Sequence, residues 1–164
     1  MQKIMNILDK LYKVFQLKNA AYGNSFMNSI KKYGLIAAIV RISDKLERIN
    51  TLINNPTLDT NNESLQDSYE DLINYCIMTL VYLEHGYLNS NDFIIQYKNT
   101  QEKVIDNYAE YYNSNENVKE NLNLKEIFDS QVDYPLNGYK LHSFFLNFIS
   151  YTLINLKLMD DKKL

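Results

Sequence analysis

Apolar residues recur at three- and four-residue spacing along nearly the whole chain, the period of helices that pack through one face. Residues 2–17 place Ile4, Ile7, Leu8, Leu11, Val14 and Phe15 in that register and predict a first helix. KNAAYGNSF (18–26) interrupts the pattern. There Gly23 supplies conformational freedom, Asn24 tolerates left-handed geometry, and Ser25 can cap a short helix from Phe26 to Tyr33, with Gly34 at C′. The next helix, about 35–53, carries its seam at Ile39, Ile42, Leu46, Ile49 and Ile53. Asn54-Asn55-Pro56 stops it, because proline disfavours helical geometry in the residue before it.

A long helix follows, from Glu63, with Asn62 as its cap, to His85-Gly86. It opens with Glu63, Asp67 and Asp71 at steps of four, each step drifting only about 40° around the axis, so the three carboxylates share one stripe. After Tyr75 it becomes apolar almost all round (Cys76, Ile77, Met78, Leu80, Val81, Leu83). A helix that opens acidic and ends buried is expected at the centre of a bundle. A less regular helix is expected over about 92–112, a loop over 113–123, a short helix around 124–129 and a turn at QVDYPLNG. The last helix, about 138–158, is apolar along Leu141, Phe144, Phe145, Phe148, Ile149 and Thr152, before a fraying tail, MDDKKL. Four glycines, two prolines and no strand-period segment make the expectation all-α, a helical bundle of five to six helices in one domain.

Composition narrows the functional classes. A net charge of −3 and the absence of any Lys/Arg run argue against a dedicated binder of duplex nucleic acid. No segment has the length of uncharged apolar sequence that a membrane span needs, and the amphipathic N-terminus is not a secretion signal. The single cysteine, Cys76, allows no internal disulfide and sits among apolar neighbours. A cytoplasmic protein without a membrane partner is expected.

The acidic stripe leaves two readings open. Negative charge in the first turns of a helix is favoured by the macrodipole, which accounts for Glu63 and Asp67 on a solvated face. Asp71 lies two turns in, beyond that effect. If the stripe faces a cleft, a cation such as Mg²⁺ relieves the mutual repulsion of the carboxylates, roughly 3 kcal/mol per pair at 6 Å in a medium of dielectric near 20. The preceding helix offers Arg41, Asp44, Lys45 and Arg48. These form either ordinary intrahelical ion pairs or a site, in which Asp44 completes a four-carboxylate cage and the three cations hold phosphate oxygens. Of the fourteen tyrosines, most are explained as amphipathic core-edge residues, and Tyr22, beside the Gly23 loop, is the candidate to touch a ligand. His85 fits a dipole-facing helix end and His142 a packing position.

Tyr22-Gly23-Asn24-Ser25-Phe26, Arg41-x-x-Asp44-Lys45-x-x-Arg48 and Glu63-Ser64-x-x-Asp67-x-x-x-Asp71-Leu72-x-x-Tyr75 follow one another at short intervals. Together, over about residues 14–86, they resemble the first nucleotide-modification-associated domain family of phages and bacteria. The resemblance implies an all-helical protein of nucleotide metabolism or base modification. It extends distantly to MazG-type and dimeric dUTPase-type nucleotide pyrophosphohydrolases, which set acidic residues from two helices around Mg²⁺. Carried over, it implies Asp44, Glu63, Asp67 and Asp71 as metal ligands, with Glu63, Asp67 and Asp71 at the catalytic centre. Arg41, Lys45, Arg48, Tyr22 and Asn24 would contact a nucleotide, and a homodimer would be the working form. The Glu-x-x-Glu pair of the MazG pattern is absent: the first acidic helix offers only Asp44, in a basic setting. The leading expectation from the resemblance is a Mg²⁺-dependent nucleoside triphosphate pyrophosphohydrolase; a protein that binds a nucleotide or cyclic nucleotide without cleaving it is the alternative, and a helical interaction module the third.

Overall fold

The computed structural model describes residues 1–58, 64–114, 121–133 and 136–161. Among them lie seven helices and no strand: α1 (Gln2–Tyr22), α2 (Ser25–Tyr33), α3 (Ile36–Asn54), α4 (Leu65–His85), α5 (Ser90–Ser114), α6 (Leu124–Gln131) and α7 (Gly138–Asp161). The count exceeds the five or six expected because both short segments form. Each is pinned by its own apolar contacts, Phe26, Met27 and Ile30 in α2, Leu124 and Phe128 in α6, all buried.

α1 does not stop at Leu17. It runs one further turn to Tyr22, through the strong helix formers Ala20 and Ala21. Buried Asn19, which donates to Ser90 Oγ at 2.7 Å, lies within that turn. Gly23, in left-handed geometry at φ 61°, then ends the helix with its N–H on Asn19 O. Asn24 shares that geometry and takes the N-cap position of α2, so Ser25 is the first helical residue instead of the cap. Gly34 closes α2 as expected, its N–H bonded to Ile30 O.

In α3 the inner seam is Ile39, Ile42, Leu46 and Ile49, and it continues at Leu52. Ile53 is 47% exposed, because the last step inward is of three residues instead of four. α4 begins at Leu65 behind a capping box. The Ser64 hydroxyl accepts from Asp67 N–H, and the Asp67 carboxylate accepts from Ser64 N–H. The Asn62 cap and the Glu63 position lie outside the described residues.

α4 packs against α1, α3, α5 and α7, and Leu72, Ile73, Cys76, Ile77, Leu80 and Val81 along it are fully buried. Burying each such side chain contributes about 1.5–3 kcal/mol, and this face holds the helix in place. α7 lies on α4, α5 and α6 through Phe145, Phe148, Ile149 and Leu153. Phe128 of α6 joins Phe144, Phe145 and Phe148 in an aromatic cluster with ring centroids 5.1–6.4 Å apart. On the opposite flank Phe15 stacks on Tyr97 of α5 and meets Phe93 edge-on. Among the described residues no helix is long and apolar enough to cross a membrane.

Candidate functional site

The helices α1 to α4 enclose a cavity of about 440 Å³. α1 contributes Phe15, Lys18, Asn19 and Tyr22; α2 contributes Ser25 and Phe26. Arg41 and Lys45 enter from α3, and Asp71, Asn74, Tyr75 and Met78 from α4. The helices meet the cavity where their apolar stripes border their polar flanks, so Phe15, Phe26 and Met78 stand there beside polar side chains. Lys18 therefore appears one turn after Phe15, and Asp71, Asn74, Tyr75 and Met78 follow one another at helical spacing.

Asp71 is the electrostatic centre. Its Oδ1 accepts from Lys18 Nζ at 3.0 Å and its Oδ2 from Lys45 Nζ at 2.9 Å, so one carboxylate ties α1 and α3 to α4. Burial opposes its ionisation, but the hydrogen bonds from Lys45 and Lys18 outweigh that and hold the carboxyl below its usual range. For Lys18 the balance falls the same way: burial works against the ammonium, and Asp71 more than restores it, raising the group. Arg41 reaches Ser29 Oγ at 3.3 Å and lies 5.9 Å from the Tyr75 ring centroid, which itself stands 6.3 Å from Phe26. Cations and aromatic faces thus border one space.

Two asparagines stand in the wall, each held by one end. Tyr97 donates its hydroxyl hydrogen to Asn74 Oδ1 from within the core. Asn74 lines the cavity, and with its oxygen engaged its amide N–H₂ is the group that remains to donate. Asn19 is held through its amide by Ser90, which leaves its carbonyl oxygen to accept.

Of the residues singled out in the sequence, the cavity brings together Tyr22, Arg41, Lys45 and Asp71. Tyr22 is at the rim, 70% exposed. Asn24 is buried but absent from the lining. Its amide donates to Leu88 O at 3.0 Å, bracing the α1–α2 turn against the segment between α4 and α5, while its Oδ1 finds no partner. Arg48 lies one turn beyond Lys45 and donates from Nε to Ser68 Oγ at 3.1 Å. Asp44 is exposed and lines neither this cavity nor the next. Asp67 lines a second, smaller cavity, about 270 Å³, together with Lys10, Ser68 and Glu70; Lys18, Lys45, Asp71 and Asn74 border both. Its carboxylate is held below its usual range by the backbone and hydroxyl of Ser64.

Lys18, Asn19 and Asn74 did not stand out in the sequence. Lys18 and Asn19 fell where the hydrophobic pattern breaks, and Asn74 reads as one polar residue in an apolar helix. One signal was present: Lys18 follows Phe15 by three residues, on the flank of the buried face.

A Mg²⁺ site needs several oxygen ligands converging on one point. Among the described residues no three His, Cys, Asp or Glu side chains gather closely enough to share an ion. Asp67 is turned into the capping box, Asp71 is occupied by two ammonium groups, and Asp44 stands apart. The described donor set therefore does not fit a carboxylate-caged Mg²⁺.

Residues 18–83 match the family model described as nucleotide modification associated domain 1. Over these residues, about two-fifths of its length, the chain is similar to that family. The matched segment runs from the last turn of α1 into the final turn of α4 and contains every cavity-lining residue except Phe15. α5, most of α1 and the α6–α7 layer lie outside it. No curated protein and no solved structure matches the chain.

Proposed function

We propose that the α1–α4 cavity binds a nucleotide, and that the chain acts in nucleotide metabolism or modification through that binding. One observation carries the reading: Lys18, Arg41 and Lys45 border the same space as Phe15, Tyr22, Phe26 and Tyr75. A nucleotide needs these two chemistries side by side. Its phosphate is met by ammonium and guanidinium groups, and its base by aromatic faces. Asn19 and Asn74 add an acceptor and a donor suited to the polar edge of a base. At about 440 Å³ the cavity falls within the range of small-molecule sites. The family description agrees with this ligand class.

Binding without cleavage is the form of the proposal that the donor set supports. A pyrophosphohydrolase of the MazG type activates water on a metal, and the described carboxylates do not converge to hold one. Titration with a panel of nucleotides, with Mg²⁺ or with EDTA, followed by chromatography of the recovered nucleotide, is the test. Saturable binding with intact recovery in EDTA supports the proposal. Mg²⁺-dependent release of monophosphate and pyrophosphate would replace it with hydrolysis, and no binding across the panel would remove it.

A further inference from the structure

We infer that the ligand of the α1–α4 cavity is a nucleoside monophosphate bearing its phosphate as a dianion, in preference to a triphosphate. This rests on the nucleotide reading above and adds the charge state of the ligand. Lys18, Arg41 and Lys45 face a single carboxylate, Asp71, and three cations against one anion leave the chamber at a formal charge of +2. A phosphate monoester loses its second proton near pH 6 and is close to doubly charged at neutral pH, so it neutralises the chamber.

The adjoining cavity makes the opposite case for a longer phosphate chain. It shares Lys18, Lys45 and Asp71 and adds Lys10 against Asp67 and Glu70, three cations to three carboxylates. Lys10 is already committed, its Nζ lying 2.8 Å from both oxygens of buried Glu70. A triphosphate tail extending from the first chamber into the second would meet Asp67 and Glu70 there, where Lys10 is held by Glu70 and Arg48, behind Ser68, donates to its hydroxyl. The waist between the chambers is the Lys18–Asp71–Lys45 bridge itself. Asp71 acts there as a positioning residue: its two oxygens hold ammonium groups from α1 and α3 converged before a ligand arrives, which removes part of the ordering cost of binding.

The experiment is equilibrium titration of the full chain with nucleoside 5′-monophosphates, the matching triphosphates and the 5′-phosphate methyl esters. It is run in Mg²⁺ and in EDTA, at about pH 7.5 and about pH 5. The charged and titratable groups facing the ligand are Lys18 and Tyr22 from α1, Arg41 and Lys45 from α3, and Asp71 and Tyr75 from α4. No histidine lines the chamber among the described residues, and Asp71 ionises below the usual carboxylate range. The group that changes charge over this interval is therefore the ligand's own phosphate.

The monophosphate should bind more tightly than triphosphate or ester, in EDTA as in Mg²⁺. Its affinity should fall about tenfold at the lower pH as the phosphate takes up a proton, while the singly charged ester stays level. Lys18→Gln, at a side chain 56% exposed, lowers the chamber to +1 and should narrow the gap between monophosphate and ester. A triphosphate that binds more tightly, or monophosphate binding indifferent to pH, overturns the dianion and leaves the nucleotide reading in place. Failure of all three compounds to bind overturns both.

Discussion

Lys45 on α3 donates to Asp71 on α4 at 2.9 Å, and this contact joins the two helices that carry the charged sequence motifs. Lys18 takes the other carboxylate oxygen from α1, so Asp71 is shared between two ammonium groups. With 28% of the Asp71 side chain exposed and Lys45 at 24%, the pair is only partly screened. Asp71→Asn should cost about 1 kcal/mol, between the worth of an exposed ion pair and that of a buried charged hydrogen bond. Urea denaturation at neutral pH measures this, and an unchanged midpoint would mean the bridge is solvated and inert.

The same bridge sets a pH dependence. The Asp71 carboxyl is depressed in the folded protein, so its stabilisation is fully present above the unfolded value near pH 3.9. It is lost as pH falls through the lower, folded value. The stability difference between wild type and Asp71→Asn should therefore be constant from neutrality down to about pH 5 and shrink below about pH 4. Denaturation midpoints across that interval test the sign. A difference that grows on acidification would contradict it.

Asp67 offers a separation of roles. It closes the capping box with Ser64, and Ser64→Ala should cost about 1 kcal/mol, as loss of an N-cap does elsewhere. Asp67→Ala should cost a similar amount. Both variants should retain nucleotide binding. Loss of binding in Asp67→Ala with binding intact in Ser64→Ala would give Asp67 a ligand role beyond the cap.

Glu84, at the end of α4, accepts from Lys103 of α5 at 2.6 Å and pairs with His142 of α7 at 2.8 Å. Burial resists its ionisation, and the bonds from His142 and Lys103 pull the carboxyl below its usual range. With 14% of the side chain exposed, Glu84→Ala should destabilise by about 1–2 kcal/mol and release α7 first. Hydrogen exchange along α7 would show the change as lost protection, and uniform protection in the variant would argue against a local clip. His142, which reads as a packing residue in the sequence, thus also hydrogen-bonds Glu84 through Nε2.

Tyr97 connects the core to the cavity. Its ring stacks on Phe15 and its hydroxyl holds Asn74 Oδ1. Tyr97→Phe keeps the stacking and frees the Asn74 amide to turn, so nucleotide affinity should drop several-fold with about 1 kcal/mol of stability lost. Titration beside thermal melting separates the two effects. Lost stability with unaltered affinity would remove Asn74 from the site.

The sequence made the helices legible because their apolar spacing is strong, and it failed where two short-range signals conflict. Gly23 and Asn24 correctly marked a turn, but Ala20 and Ala21 carry α1 up to it, and the expectation of an earlier stop hid Lys18 and Asn19. Ile53 took its place in the expected seam because spacing alone does not tell a step of three from a step of four; packing selects Leu52. Arg41, Lys45 and Asp71 were legible as candidates from helical faces and short connections, which make α3 and α4 neighbours. Their roles were not legible. An acidic stripe looks the same whether its carboxylates converge on a metal, cap a helix or hold lysines; the local bond to Ser64, three residues away, makes Asp67 a cap, and tertiary contacts to Lys18 and Lys45 make Asp71 a bridge.

The most direct measurement is calorimetric titration of a nucleotide panel, in EDTA, into wild type and into Lys45→Ala. Lys45 lies on the cavity wall, and its partner Asp71 keeps Lys18, so the fold should survive the substitution. The account predicts saturable binding by wild type, at least about tenfold weaker in the variant, as expected for loss of one charge-assisted contact. Equal affinities would place the ligand elsewhere, and the absence of saturable binding in wild type would contradict the nucleotide assignment itself.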